Sequence, residues 1–227
     1  MKVLILAAGR GERMRPLTDH TPKALLQAGG KSLIQHMIEA LARADLRDLV
    51  LNHAYLGGQI VAALGDGRAQ GVRIAYSPEP EGALETGGGI LRALPKLDSD
   101  PFVVVNADIW TDYPFDRLPR HLTGLAHLVL VNNPAHHSAG DFILKQGRVF
   151  APPDGVGGKE ARLTFSGIGV YRHAMFEGCT QARFPLAPLL RSAMERGEVT
   201  GEHYAGRWRD IGTPERLAEL DQELSRH

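Results

Sequence analysis

Residues 3–7, Val-Leu-Ile-Leu-Ala, form an unbroken apolar run that ends at once in Ala8-Gly9. A strand with one wet face alternates apolar and polar residues. A continuous run belongs to a strand covered on both faces, as in a parallel sheet with crossover helices above and below it. The segments that follow fit that requirement. Apolar stretches recur at 49–52, 72–76 and 102–105, with helix-like segments at 32–45, 56–64 and 87–94 between the successive strands. The first helix opens with Ser32 and Gln35 at capping-box spacing and repeats Leu33, Ile34, Met37, Ile38 and Leu41 on one face. This β-α-β-α-β-α-β order predicts a Rossmann-like α/β fold with a doubly wound, mainly parallel sheet.

The second half changes character. Residues 125–133 alternate, 141–150 read as two strands joined at Gln146-Gly147, and 162–171 read as another strand, which predicts additional antiparallel strands. Two helices close the chain, one at about 185–196 and one with Thr213 as N-cap, Pro214 at its first position and Leu217, Leu220 and Leu224 on one face. Residues 155–158 read as a loop, and no stretch is rich enough in linker residues to divide the 227-residue chain, so one domain is expected.

Charge narrows the partners. Lys plus Arg equals Asp plus Glu at 26 each, so no global positive field attracts nucleic acid, and local basic clusters need their own explanation. The apolar run at 3–8 is too short for a signal core or a membrane span. A single cysteine, Cys179, cannot form an internal disulfide and suits a reducing cytoplasm.

The basic cluster that most needs explaining follows the first strand, in Leu-Ile-Leu-Ala-Ala-Gly-Arg-Gly-Glu-Arg-Met-Arg-Pro-Leu-Thr-Asp-His-Thr-Pro-Lys, residues 4–23. It matches neither common phosphate loop: Met14 stands where a dinucleotide fingerprint needs its third glycine, and Leu25 where a P-loop ending in Gly30-Lys31-Ser32 needs its first. In an open α/β sheet, however, ligands lie beyond the carboxyl ends of the strands, where Gly9 and Gly11 let backbone N–H groups approach phosphates. Arg13 offers a fork for two phosphate oxygens and Lys23 a mobile point charge. The alternative is a solvated loop in which Arg10, Arg13 and Arg15 only face water.

This segment resembles the signature of the sugar-1-phosphate nucleotidylyltransferases, whose glycine-rich loop, arginine and lysine hold a nucleoside triphosphate. The resemblance continues, in the family's order, through Val-Val-Val-Asn-Ala-Asp-Ile at 103–109, Trp-Arg-Asp-Ile-Gly-Thr-Pro-Glu-Arg-Leu at 208–217 and Pro-Glu-Pro-Glu-Gly-Ala-Leu-Glu-Thr-Gly-Gly-Gly at 78–89. It implies that Arg13 and Lys23 are catalytic, and that Ala8, Gly9, Gly11 and Glu12 bind the nucleotide with them. It further implies that Glu81, Thr86 and Gly88 contact the base, that Asn106 touches nucleotide and sugar phosphate, and that Asp108 and Asp210 hold Mg2+. The nucleotide-binding half is then about 1–120 and the sugar-binding half about 121–227. Taken alone, Asp108 also reads as a turn residue or N-cap, and Asp210 as part of a turn before a capped helix.

The reaction implied is attack by a sugar 1-phosphate oxygen on the α-phosphorus of a nucleoside triphosphate. A phosphate monoester, with a second pKa of about 6, is already largely dianionic and needs no general base. The work is to align two anions and stabilise the leaving pyrophosphate. The ten histidines then need no catalytic role, and His136-His137, on an extended segment, would point to opposite faces and not chelate jointly.

Specificity is sought in the second half. Asn-Asn-Pro-Ala-His-His-Ser-Ala-Gly-Asp-Phe at 132–142, with Leu-Thr-Phe-Ser-Gly-Ile-Gly-Val-Tyr at 163–171, resembles compact members that join UTP to N-acetylmuramate 1-phosphate in cell-wall recycling. The resemblance puts Gly140 and Asp141 at a sugar-contacting turn of the family; taken alone they read equally as an ordinary β-turn. Where other members carry Glu-Lys-Pro, Gly-Gly-Lys-Glu-Ala-Arg stands at 157–162, with Lys159 as the candidate cation. Other expectations within the class are a mannose-1-phosphate guanylyltransferase or a glucose-1-phosphate thymidylyltransferase. Outside it stands a non-catalytic nucleotide-sugar sensor, against which the presence of Arg13, Lys23, Asp108 and Asp210 together argues. No protein partner is implied.

Overall fold

The computed structural model describes residues 1–80, 82, 84–153 and 161–226. Its first strands are β1 (Val3–Leu6), the short hairpin β2 (Gln27–Ala28) and β3 (Lys31–Ser32), then α1 (Leu33–Arg43), β4 (Asp48–His53), α2 (Gly57–Leu64), β5 (Arg73–Pro78), α3 (Glu85–Ala93), β6 (Phe102–Asn106) and β7 (Ile109–Thr111). The second half adds β8 (Ala126–Val131), β9 (Ile143–Lys145), β10 (Arg148–Phe150), β11 (Thr164–Tyr171), α4 (Ala187–Glu195), β12 (Val199–Tyr204), β13 (Trp208–Asp210) and α5 (Pro214–Leu224).

Nine of these strands make one sheet in the order β5-β4-β1-β6-β11-β8-β12-β10-β9. The four strands β5, β4, β1 and β6 run parallel, as the continuous apolar runs require. Strand β11 then enters antiparallel between β6 and β8, β12 returns parallel to β8, and β10 and β9 finish antiparallel. Alternation along β1 feeds two separate cores: Val3 and Ile5 pack on the α1/α2 face with Leu41 and Ile60, whereas Leu4 packs on the α3/α4 face with Ile90 and Leu190. Truncating a fully buried side chain such as Leu4 or Leu41 to alanine costs about 2–5 kcal/mol, because the lost apolar contact leaves a cavity.

Local signals set the boundaries. The Ser32/Gln35 capping box is formed at α1, and the Thr213 side chain accepts from Arg216 N at the start of α5, with Pro214 behind it. Gln146 (φ 47°) and Gly147 (φ 75°) make the tight turn between β9 and β10 that their dipeptide predicts. A third small core, with Met14, Leu26, Leu33, Leu217 and Leu220, seats α5 on the hairpin that follows the glycine loop. The segment 155–158 lies outside the described residues.

Candidate active site

The carboxyl ends of β1, β4 and β6 open onto a cavity of about 240 Å3 lined by Ala7, Ala8, Gly9, Lys23, Asn52, Glu79, Glu85, Thr86, Asn106 and Asp108, among others. Of the residues singled out in the sequence, Ala8, Gly9, Lys23, Thr86, Asn106 and Asp108 therefore share one hollow. A Cβ placed on Gly9 meets nothing within 4 Å, so the backbone there is approachable. Gly11, at φ 68°, turns the chain left-handed, and a Cβ there would press Thr18 Cγ2 at 3.0 Å and Lys23 Cβ at 3.1 Å. That glycine thus folds the loop back onto Lys23, a closure held by the Thr18 hydroxyl donating to Gly11 O at 2.8 Å.

The loop arginines divide. Arg10 lies over the Tyr55 ring at 5.1 Å, and Arg15 pairs with Asp19 at 2.7 Å. Arg13, on the 3-10 turn begun by Glu12, reaches the turn before α5: a Cβ on Gly212 would sit 3.3 Å from Arg13 Nη2 and 2.5 Å from Arg216 Nη2. Arg13 is the cation of this trio that meets the closing motif.

That motif is brought to Asp108 by backbone pairing. Strand β13 runs antiparallel to β7 with Asp210 opposite Ile109, and Ile211 N donates to Asp108 O at 2.8 Å. Each carboxylate already has a basic partner. Asp108 Oδ2 accepts from Lys23 Nζ, whose side chain is only 11% exposed. Asp210 Oδ2 accepts from Arg216 Nη1, and its Oδ1 lies 2.8 Å from His136 Nε2. Asp210 lines a second hollow of about 650 Å3 together with His136, Trp208, Arg209 and Arg216.

Other expected contacts are placed differently. Gly88 lies beside the 182–184 segment: its N–H donates to Phe184 O at 3.1 Å, and a Cβ would strike Ala182 O at 2.2 Å. Asp141 spends both oxygens on the chain, Oδ2 on Phe165 N at 2.8 Å and Oδ1 on His137 Nε2 at 2.9 Å. Gly140 (φ 64°) turns beneath Asn133 and Arg162. The extended conformation expected of His136-His137 is corrected to a 3-10 turn, Ala135–His137, because Pro134 O accepts from His137 N at 2.9 Å; the two imidazoles still part, one to Asp210 and one to Asp141. Glu81 and Lys159 lie outside the described residues.

Several lining groups escaped the sequence reading. Asn52 Oδ1 accepts from Ala7 N at 2.7 Å and its Nδ2 donates to Glu79 Oε1 at 2.6 Å, while Glu79 Oε2 accepts from Leu84 N at 2.8 Å. This network ties the loop before α3 to the glycine loop, and Gly89 makes room for it, since a Cβ there would lie 2.6 Å from Glu79 Oε1. A signal was present: Asn52 closes an apolar strand in the same way that Asn106 does. Arg216 and His136 had no comparable signal, because their role depends on a pairing between distant segments.

Residues 2–141 match the nucleotidyl transferase family. The chain belongs to that family, in keeping with a cavity that joins Gly9 of the glycine loop, Lys23 and Asp108 at the strand ends. It is 51% identical over 228 residues, 96% of each chain, to the N-acetylmuramate alpha-1-phosphate uridylyltransferase of Neisseria meningitidis serogroup B. It is 33% identical over 234 residues, 98% of this chain and 96% of the other, to the protein of the same name in Caulobacter vibrioides. In fold it is similar to a putative glucose-1-phosphate thymidylyltransferase from Bacillus anthracis, with a TM-score of 0.85 over 99% of this chain and 95% of that one at 22% identity. Family and relatives are enzymes that transfer nucleotidyl groups. Among the described residues, no helix is long and apolar enough to cross a membrane.

Proposed function

We propose that the protein transfers the uridylyl group of UTP to N-acetylmuramate 1-phosphate, giving UDP-N-acetylmuramate and pyrophosphate, as a cytoplasmic step of cell-wall recycling. The observation that carries this reading is the 51% identity to the Neisseria enzyme over 96% of both chains. The cavity supports it: Gly9 and Ala8 offer an open backbone ledge, Lys23 a cation and Thr86 a neighbouring hydroxyl, as a triphosphate and base need. Arg13, beside the closing motif, and Lys23, in the cavity, are the cations assigned to stabilising charge on the departing pyrophosphate. The nucleophile is the sugar phosphate oxygen, so binding and alignment dominate, and no side chain here has to remove a proton.

The donor set fits a hard divalent cation. The family generally depends on one. Asp108 and Asp210 are joined by the Ile211 N to Asp108 O bond, and no cluster of three or more His, Cys, Asp or Glu closes a cage among the described residues. Two carboxylates, with the rest of the shell left to phosphates and water, is the arrangement Mg2+ takes. Asp108 and Asp210 would hold it, and bound there it supplies charge neutralisation between the reacting phosphates. Asn106, cupped by Gly167, is the proposed contact to both nucleotide and sugar phosphate, and Gly140, Asp141 and Lys159 remain the proposed sugar contacts. The test is pyrophosphate release from a matrix of nucleoside triphosphates and sugar 1-phosphates, with and without Mg2+. The expected result is preferred, Mg2+-dependent turnover of UTP with N-acetylmuramate 1-phosphate. Robust turnover of GTP with mannose 1-phosphate, and none of that pair, overturns the assignment.

A further inference from the structure

Four charged side chains line the smaller cavity: Lys23, Glu79, Glu85 and Asp108. Its charge is therefore negative on balance, although its proposed occupant is a polyanion. Lys23 is the one positive member of the described lining, and it is spent on Asp108. A polyphosphate entering here competes with Asp108 for the same ammonium, and a divalent cation competes with the same ammonium for Asp108.

We propose that Lys23 is a shared counter-ion that blocks Asp108 against divalent cations until a polyphosphate draws the ammonium away. The geometry makes Asp108 the switchable carboxylate of the two. Lysine presents a point charge with rotatable donors on a flexible stem, so it can pass from a carboxylate to a phosphate without moving its backbone. The Lys23 stem is buried beside Gly11, which confines Nζ to the cavity, while Asp108 is 39% exposed into it. Asp210 is clamped instead: Arg216 Nη1 bonds both its Oδ2 and, at 3.3 Å, its own carbonyl oxygen, and His136 holds Oδ1. An arginine whose Nη1 is held by Asp210 Oδ2, Asp210 O and His136 Nε2 is poorly placed to transfer. Because linkage is reciprocal, polyphosphate then raises the affinity for the cation and the cation raises that for polyphosphate.

This inference rests on the proposed role of Asp108 as a metal-holding residue, and the test separates the two. Mn2+ is titrated into the purified protein without nucleotide, and unbound Mn2+ is read by electron paramagnetic resonance. Lys23→Met is expected to bind Mn2+ about tenfold or more tighter than wild type, the order of one charge-assisted hydrogen bond. Arg13→Met removes the same charge from the same loop without touching Asp108, and is expected to shift binding by less than about threefold, as a screened surface charge does. In Lys23→Met/Asp108→Asn the gain is expected to vanish. No gain in Lys23→Met, or an equal gain in Arg13→Met, overturns the counter-ion role while leaving Asp108 as a ligand. A gain that survives in the double variant overturns the role of Asp108 itself. Lys23→Gln, checked for folding by circular dichroism, carries the same test if the methionine variant does not fold.

Discussion

Gly9, just after β1, and Gly140, just before β9, are loop glycines of the two halves, and they do opposite things. A side chain at Gly9 would project into open space, whereas one at Gly140 would collide with Asn133 Oδ1 at 2.8 Å and Arg162 Cβ at 2.9 Å. At Gly9, in the parallel half, glycine leaves room for something that is not the chain. At Gly140, in the mixed half, it leaves room for the chain itself. The polar groups follow suit: Asp108 offers a partly exposed carboxylate to a cavity, while Asp141 delivers both oxygens to Phe165 N and His137. On the function proposed above, the parallel half receives phosphate, and the mixed half is first of all a buttress.

The comparison can be broken most forcefully at Lys23 and Asp108. Lys23→Ala and Asp108→Asn are each expected to lower pyrophosphate release by about 10²–10³, the effect of removing one group that stabilises developing charge, with circular dichroism and melting close to wild type. Turnover at the wild-type rate in a folded Asp108→Asn variant would remove that carboxylate from the mechanism. Asp141→Ala should act on the other property, costing about 1–3 kcal/mol in urea denaturation by leaving the Phe165 N–H without its acceptor. Unchanged stability with a raised KM for the sugar phosphate would instead make Asp141 the sugar contact.

Gly167 lies on the seam. It sits at φ 80° in the bulge of β11, with a would-be Cβ 2.6 Å from Asn106 Nδ2. Gly167→Ala is expected to cost roughly 1 kcal/mol or more, measured as a lower denaturation midpoint, together with reduced activity from a displaced Asn106. The smallest effect is expected at His127 on β8, whose imidazole is pushed below its ordinary 6.5 by burial, with Glu202 partly opposing. The unfolded chain therefore takes up the proton first as pH falls. Stability contributed by this group is constant above 6.5 and declines as the pH drops through it, by less than 1.4 kcal/mol per pH unit. His127→Gln should flatten that slope in denaturation curves taken between pH 8 and about pH 5.

What could be read in the chain follows the range of the interactions. Apolar runs, the Ser32/Gln35 box, the Thr213 cap and the Gln146-Gly147 turn are short-range patterns, and each stands in the structure at its expected place. The insertion of β11 between β6 and β8 and the pairing of β7 with β13 were not legible, since three-residue strands such as Ile109–Thr111 carry no periodicity and their partners lie far along the chain. The same limit applied to the site. Asp108, Asp210 and Lys23 stand in family-like motifs, but the partners of Asp210, Arg216 and His136, follow from the fold alone. His137 shows the reverse case: its neighbour Asp141 is four residues away, yet a 3-10 turn in place of an extended segment was needed to bring them together.

The bond from Gly29 N to Asp221 Oδ1 joins residues 192 positions apart, and it accompanies Leu224 packed so closely over Gly29 that a Cβ there would lie 2.6 Å away. At translation speeds of about 5–20 residues per second, roughly ten to forty seconds pass between the synthesis of one partner and the other. For most of that interval the growing polypeptide already carries its glycine loop and its lysine, but has neither Asp210 nor the helix that seats the hairpin. On the metal-holding role proposed for Asp210, nucleotidyl transfer waits for the stretch that carries Asp210 and α5, and a chain stalled before it is expected to be inert toward the cell's nucleotide pool.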